Sequence, residues 1–587
     1  MILRDGTHRV TSRARSPSGV VTSTIVPWGV CSPTVESSYA IVELAAEPHH
    51  AAVVRVPRHY NAAVDFIDRH VAQGRGDRIA FLEDDRTTTY AALAELTARA
   101  ASAIRGLGVL PEQRVMLCLH DTVDFVALFF GAIRAGAVAV PVNTLLTTDD
   151  YAFMLADSRA RVLFVSDALI EKLAPAVSKM AKPPRVIVVK SPVRVDHGSE
   201  SDAPPELGST RVSRTVAHLD LDAVLAASQP MIDAEPTTAD DVAFWLYSSG
   251  STGAPKGALH LHSHLVQTAA LYGRGVLGVN ENDVIFSAAK LFFAYGLGNA
   301  MTFPLHAGAT TVLMAERPTP RSVMRALAKH QPTIFCGVPT LFAAILAHGG
   351  TKDQKGSPKL RVSVSAGEPL PKHIGENWKA RFGTDILDGI GSTEMLHIFL
   401  SNRHGDVRYG TTGKPVPGYE LKLVDDAGAE VPDGEEGSLW VSGPSSCIAY
   451  WNQRERSLAS FHGPWTRTGD RYRRDAEGYY TYDGRVDDML KVGGIWVSPF
   501  EVESALAEHD AVLEAAVVGH PDADGLVQPR AFVVLAEGRD GSSRLVAELQ
   551  LFVKAKLAPY KYPRWIEFTR ELPKTATGKI QRFKLRV

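Results

Sequence analysis

Residues 247–262 read YSSGSTGAPKGALHLH and follow the apolar run Val242–Leu246. Three serines, a threonine and two glycines precede Lys256. Glycines let backbone N–H groups approach an anion, hydroxyls add donors, and the lysine adds charge, so the composition is that of a phosphate-binding loop. It is not the Walker pattern, which needs glycine before the lysine and Ser or Thr after it. Pro255 and Gly257 hold those places. With strand-like sequence before it and helix-like sequence after it, the segment reads as a nucleotide loop of another kind.

Working outward, the flanking chain alternates short apolar runs with helix-length segments. Arg114–His120, 137–143, Arg161–Asp167, Pro332–Val338, Arg361–Gly367 and Thr384–Gly391 read as buried strands, and Asp124–Ala135 as a helix. This alternation predicts an α/β fold with mainly parallel sheets, whose ligands collect at the carboxyl ends of strands. Residues 191–240 turn polar and read as a surface excursion with one short helix near Leu219–Ala227. Past Tyr482–Arg485 comes a compact α+β unit, opened by a helix at VSPFEVESAL. There Ser498 is the expected cap, Pro499 the first helical residue and Glu501 the partner in a capping box.

A chain of 587 residues exceeds one ordinary domain. The expected division is 1–56 as an extension that adds no folded structure, 57–484 as a large domain, and 485–587 as a small mobile one. Residues 4–24 are rich in Arg, Ser and Thr, like a transit peptide, but lack the apolar core of a secretory signal. Net charge is −2, which gives no reason to expect nucleic acid or an anionic membrane. No apolar stretch reaches spanning length; 125–142 is interrupted by Arg134. The four cysteines, Cys31, Cys118, Cys336 and Cys447, have no metal-ligand spacing and read as reduced residues of a cytoplasmic protein.

Four more segments carry chemistry. SAGEPLP (365–371) and DGIGSTE (388–394) set glycines and carboxylates at strand ends. Glu394 beside Thr393 offers the hard oxygen ligand that Mg²⁺ prefers, and Mg²⁺ needs few protein ligands when phosphate supplies others. In 466–494, Asp470 follows Thr468–Gly469, and Arg485 lies between a glycine and a valine; the pair suits ribose hydroxyls and a phosphate. Near the end, PKTATGKIQRFKLR (573–586) presents Lys579 behind a Thr-Gly pair, which by itself reads as a basic solvated tail.

The order of these five segments resembles that of the adenylate-forming superfamily of acyl-CoA synthetases, luciferases and nonribosomal-peptide adenylation domains. The resemblance runs from about Tyr60 to the C-terminus. It implies a large N-terminal domain of α/β subdomains and a small C-terminal domain that rotates about a hinge, matched here by Asp487. It implies a two-step reaction in which ATP and a carboxylate form an acyl-AMP and a thiol then displaces AMP. By position, Ser248, Ser249, Thr252 and Lys256 would cradle phosphates. Gly367, Glu368 and Pro369, with Asp388, Gly389 and the residues to Gly391, would line the adenine slot. Thr393 would touch the α-phosphate, Glu394 would hold Mg²⁺, Asp470 and Arg485 would take the ribose side, and Lys579 would bridge carboxylate and ATP oxygens.

Residues 288–305 and 391–402 further resemble the benzoate-CoA ligase branch. There Ala294, Tyr295, Gly391, His397 and Ile398 would surround an aryl ring. Ala254 departs from the pattern, since relatives often carry a basic residue there. The expectation is an AMP-forming aryl-CoA ligase acting on benzoate, monomeric or homodimeric, with ATP, Mg²⁺ and coenzyme A. The alternatives are hydroxybenzoate, aminobenzoate, furoate or a cyclic aliphatic acid as substrate, or a separate carrier protein as thiol donor. CoA is favoured because no carrier domain follows Lys579.

Overall fold

A computed structural model describes residues 39–43, 53–84, 86–192, 216–250, 253–349, 354–485, 488–492, 495–522, 526–557, 559–574 and 580–586, by backbone alone at 53, 249, 250, 253, 254, 491, 495, 496, 559 and 583. The parallel strands form where the sequence places apolar runs with no polar face. Val162–Ser166 is buried at every residue, as a strand covered on both sides must be. It lies in a seven-stranded sheet ordered Gly253–Leu261, Val242–Gly250, Val138–Pro141, Arg114–Cys118, Val162–Ser166, Arg185–Val189, His218–Asp220. All neighbours are parallel except the first pair.

A nine-stranded sheet lies beyond it, in the order Lys414–Pro415, Ile398–Ser401, Ile386–Gly391, Val362–Ser365, Ile334–Gly337, Val284–Ser287, Thr310–Val312, Ile79–Leu82, Thr87–Thr89. Its inner strands are parallel, and the antiparallel pairings occur at its two edges. The helix Val123–Arg134 is buried on nearly every face, as its almost uninterrupted apolar sequence requires. Gly131 permits its close approach to Tyr90–Gly106, since a Cβ there would lie 2.7 Å from the Ala100 side chain. One apolar cluster joins these helices to the inner faces of both sheets.

An antiparallel sheet follows, built from Glu420–Val424, Glu436–Ser442, Phe461–His462, Trp465–Arg474 and Tyr480–Arg485. The C-terminal unit has its own apolar core, from Leu490 to Ile566. It combines the hairpin Leu490–Val492/Ile495–Val497, the helices Pro499–Ala507 and Ser543–Lys556, and a sheet of Val512–Pro521, Val527–Leu535 and Trp565–Phe568. The fold is thus a large N-terminal α/β domain followed by a small α+β domain.

Three sequence expectations need revision. Part of the stretch set aside as unfolded is ordered: Ile41–Glu43 pairs with Val53–Arg55, and Ala40 N–H donates to the buried Asp65 carboxylate. Short β-branched strands whose partners lie across a gap leave little periodicity to read. The loop after Val242–Leu246 does not lead directly into a helix. The strand runs on to Gly250, returns antiparallel from Gly253 to Leu261, and only then enters the helix His262–Thr268. Last, Ser498 caps its helix by accepting from Glu501 N–H, but Glu501 does not reach back; its carboxylate pairs with Lys561 at 2.5 Å. A full opposite charge outcompetes the weaker return bond to a backbone amide.

Candidate active site

The hairpin carries the glycine- and serine-rich segment. Ser248 faces Lys256 across the strands, and the buried Ser248 hydroxyl has no hydrogen-bond partner among the described residues, as a donor reserved for a ligand would be. Segment 448–451 zips onto the outer edge of the returning strand: Ile448 N–H donates to Leu259 O, Leu259 N–H to Ala449 O, and Trp451 N–H to Gly257 O. Trp451 packs on Trp245 at 4.7 Å, lies under the Arg114 guanidinium at 5.3 Å and donates its indole N–H to Asp157 O. Tyr247 donates to the Asp157 carboxylate at 2.7 Å. The flexible composition of the loop is therefore mounted on a braced hairpin stem.

Lys256 points at the strand-end segment that follows Ile386–Gly391. Its ammonium lies 3.2 Å from Glu394 Oε1, donates to the Tyr450 hydroxyl at 2.8 Å and sits 4.2 Å from the centre of that ring. Tyr450 in turn donates to Glu394 Oε1 at 2.7 Å. Burial alone would raise the Glu394 carboxyl, but the Lys256 charge and the Tyr450 hydrogen bond outweigh it and hold the group below its ordinary range. Thr393 is fixed through its carbonyl, which accepts from His260 Nε2 at 2.8 Å. Burial lowers His260 to about 4, so it stays neutral. Ser248, Lys256, Thr393 and Glu394 thus converge.

A second group forms around the expected ring position. Tyr295 donates its hydroxyl to Val364 O (2.9 Å) and Gly337 O (3.1 Å), at the ends of two parallel strands. His397 Nε2 donates to Tyr295 O at 3.3 Å, and its ring packs against Phe303, Tyr272 and Tyr295 at 4.5, 5.2 and 5.8 Å. Burial lowers His397 to about 3. The neutral ring then keeps a lone pair on Nδ1, which is buried without a partner among the described residues. Gly391 and Ile398 face each other in strand register, and a Cβ at Gly391 would lie 2.5 Å from His397 O. Ala294, half-buried, opens the helix Ala294–Leu297 that carries Tyr295.

The remaining positions fall between and beside these groups. Glu368 accepts from Thr340 at 2.6 Å, just beyond Gly367, whose φ of +93° suits glycine. Pro369 follows in the same loop. Asp388 is buried within the strand Ile386–Gly391, and burial pushes its carboxyl well up. Gly389, beside it, packs on Ile398. Asp470 and Arg485 are opposite each other in strand register and bond at 3.1 Å, with Gly469 tight beneath the guanidinium. Ser249, Thr252, Asp487 and Lys579 lie outside the residues whose side chains are described. Three contributors escaped the sequence reading: Tyr450, Thr340 and His260. Tyr450 stands in the ordinary-looking CIAYWN, and only its spatial position gives it away.

Among the described residues, no cluster of three His, Cys, Asp or Glu side chains could hold a metal by itself. A lone carboxylate, held ionised beside a phosphate-type loop, fits a cation that takes most of its ligands from substrate and water. No described helix is long and apolar enough to cross a membrane.

A glycine–serine hairpin loop whose lysine meets a strand-end glutamate at 3.2 Å is suited to holding an anion beside a cation. The chain belongs to the AMP-binding enzymes: that family's model matches residues 68–451, and the model for the AMP-binding enzyme C-terminal domain matches residues 501–579. Among curated relatives, it is 54% identical to the benzoate–CoA ligase of Thauera aromatica, over 91% of this chain and 97% of the relative. It is 50% identical to the 4-hydroxybenzoate–CoA/benzoate–CoA ligase of Rhodopseudomonas palustris, over 90% and 94%. Among solved structures, a benzoate CoA ligase from Burkholderia xenovorans LB400 superposes with a TM-score of 0.81 at 50% identity, covering 90% of this chain and all of that one.

Proposed function

We propose that this protein is an AMP-forming aryl-CoA ligase that converts benzoate to benzoyl-CoA. In the first step a benzoate oxygen attacks the α-phosphorus of ATP and pyrophosphate leaves with the P–O bonding pair, giving benzoyl-AMP. In the second, the CoA sulfur attacks the acyl carbon, the thiol proton is lost to solvent, and AMP leaves. Lys256 and the loop donors hold the phosphates, Thr393 meets the α-phosphate, and Asp470 and Arg485 hold the ribose side. Lys579, from the C-terminal domain, offsets the repulsion between the two reacting anions. Glu394 would hold Mg²⁺, which when bound screens the phosphate charge. A hinge at Asp487, near a domain boundary at 484/485, lets the small domain exchange Lys579 for a CoA-facing surface. The need for ATP and CoA pools supports a cytoplasmic setting for the reaction.

The observation that carries the benzoate reading is the ring group itself: Tyr295 and Ile398 in one apolar cluster, with His397 packed on Tyr295 and Gly391 paired to Ile398, within a chain so similar to benzoate–CoA ligases. The unpartnered Nδ1 of His397 favours a second reading, in which a ring hydroxyl donates to it and hydroxybenzoates are also accepted. AMP release measured over a panel of benzoate, hydroxybenzoates, aminobenzoates and cyclohexanecarboxylate, with and without CoA, decides between them. Benzoate is expected to give the highest kcat/KM. AMP formation with none of these acids would overturn the assignment.

A further inference from the structure

Lys256 and Glu394 are needed by opposite charges, yet they face one another at 3.2 Å. Left to themselves, a lysine and a carboxylate this close satisfy each other, and the triphosphate and its cation must first break that pair. Tyr450 is placed to change this. Its hydroxyl accepts from Lys256 at 2.8 Å and donates to Glu394 Oε1 at 2.7 Å, while its ring lies under the same ammonium at 4.2 Å. The side chain is tightly held. Tyr450 N–H donates to Ser457 Oγ at 3.0 Å, the ring packs on Phe461 at 5.1 Å, and the residue bridges in register to Ala258 on the hairpin strand that bears Lys256.

We propose that Tyr450 is a positioning residue for the nucleotide step, an assignment that rests on the ATP-dependent reading above. Its hydroxyl keeps a fixed partner for each ion when the other turns to substrate. As Glu394 turns to the cation, Lys256 stays anchored by the hydroxyl and the ring face, within reach of phosphate. As Lys256 turns to phosphate, Glu394 keeps one donor and stays ionised. The neutral phenol does this without adding a charge that would repel either ligand, whereas a second lysine or glutamate at this position would not.

Tyr450→Phe tests this, because it removes the hydroxyl and retains the ring, its packing on Phe461 and its face toward Lys256. Losing hydrogen bonds to two charged groups is expected to raise KM for MgATP about tenfold and to raise the Mg²⁺ concentration giving half-maximal rate. KM for benzoate, the melting midpoint, and the rate of thioester formation from supplied benzoyl-AMP are expected to stay within about twofold or a few degrees of the parent. Tyr450→Leu, which also removes the ring, is expected to lose more affinity for MgATP than Tyr450→Phe does. MgATP binding measured directly by calorimetry, with no acid present, keeps this test separate from the substrate assignment: a parent protein that binds MgATP but activates no aryl acid would fail that assignment alone. Unchanged MgATP affinity in Tyr450→Phe, or equal losses for MgATP, benzoate and the thioester half-reaction, would overturn the proposal.

Discussion

At the scale of single residues, the Lys256–Glu394 pair separates stability from catalysis. Both side chains are mostly withdrawn from water, so removing one partner leaves the other's charge poorly compensated. Lys256→Met is expected to cost about 1–3 kcal/mol of stability and to lower kcat/KM for ATP about a hundredfold through lost phosphate contacts. Adding Glu394→Gln removes the orphaned charge. The double variant is expected to recover much of the stability and none of the activity, read by chemical denaturation and pyrophosphate release. The buried histidines give a second expectation. Burial lowers His70 and His397 to about 3 and His260 and His262 to about 4. In the unfolded chain each titrates near 6.5. Below that pH the unfolded state binds the extra protons, so stability present at pH 7 drains away as pH falls toward 4. Each histidine contributes a limiting slope of about 1.4 kcal/mol per pH unit. Asp121, raised to about 6 by burial despite Lys290, acts with the opposite sign between its unfolded value and 6 and offsets part of this. Melting points are expected to fall steeply from pH 7 to pH 5; a flat profile would show that the histidines are hydrated or already charged in the folded protein.

At the scale of elements, close backbone packing seats His397. The segment Gly298–Thr302 follows the helix of Tyr295 as a widened helical turn, and a Cβ at Gly298 would fall 2.3 Å from His397 Cδ2. Gly298→Ala therefore pushes His397 off its seat on Phe303 or displaces the turn, an overpacking worth about 1–3 kcal/mol. KM for benzoate is expected to rise while KM for ATP is unchanged; an equal rise in both would place the effect elsewhere. Glycine here looks like any helix-weakening residue in sequence, and only the facing histidine explains it. The same limit applied to the rest of the molecule. The parallel strands were legible because they are uniformly apolar, and Lys256 and Glu394 because glycine and hydroxyl residues flag their loops. The hairpin form of the phosphate loop was not, since Gly250, Gly253 and Pro255 erase the period-2 signal of the returning strand. Tyr450 was invisible because its role depends on segment 448–451 joining that strand from almost two hundred residues away.

At the scale of the whole molecule, the described residues on either side of the segment 575–579 are held by ion pairs. Before it, Lys574 pairs with Glu514 at 2.7 Å and bridges to Ile580. After it, Arg582 pairs with Glu503 at 2.7 Å and lies 3.6 Å from Asp488, which also binds Arg586 at 2.6 Å. Asp488 directly follows the proposed hinge residue, Asp487, and one half-buried arginine pairs with both Asp488 and Glu503. Glu503 is itself fixed, accepting from Val517 N–H at 2.7 Å. If the small domain delivers Lys579 only for the first step, loosening these pairs harms that step selectively. Lys579→Ala is expected to abolish pyrophosphate release while sparing thioester formation from supplied benzoyl-AMP. Arg582→Ala leaves the lysine's charge in place but frees its position, and Glu503, left buried with an unpaired charge, also destabilises the small domain by a few kcal/mol. Adding Glu503→Gln removes that penalty, so Arg582→Ala/Glu503→Gln isolates the positional effect. Adenylation in this double variant is expected to fall at least tenfold, a penalty typical of a misplaced reacting group, with the thioester step within about threefold. Equal losses in both half-reactions would mean that the arginine only holds the domain together and that the lysine finds its place without it.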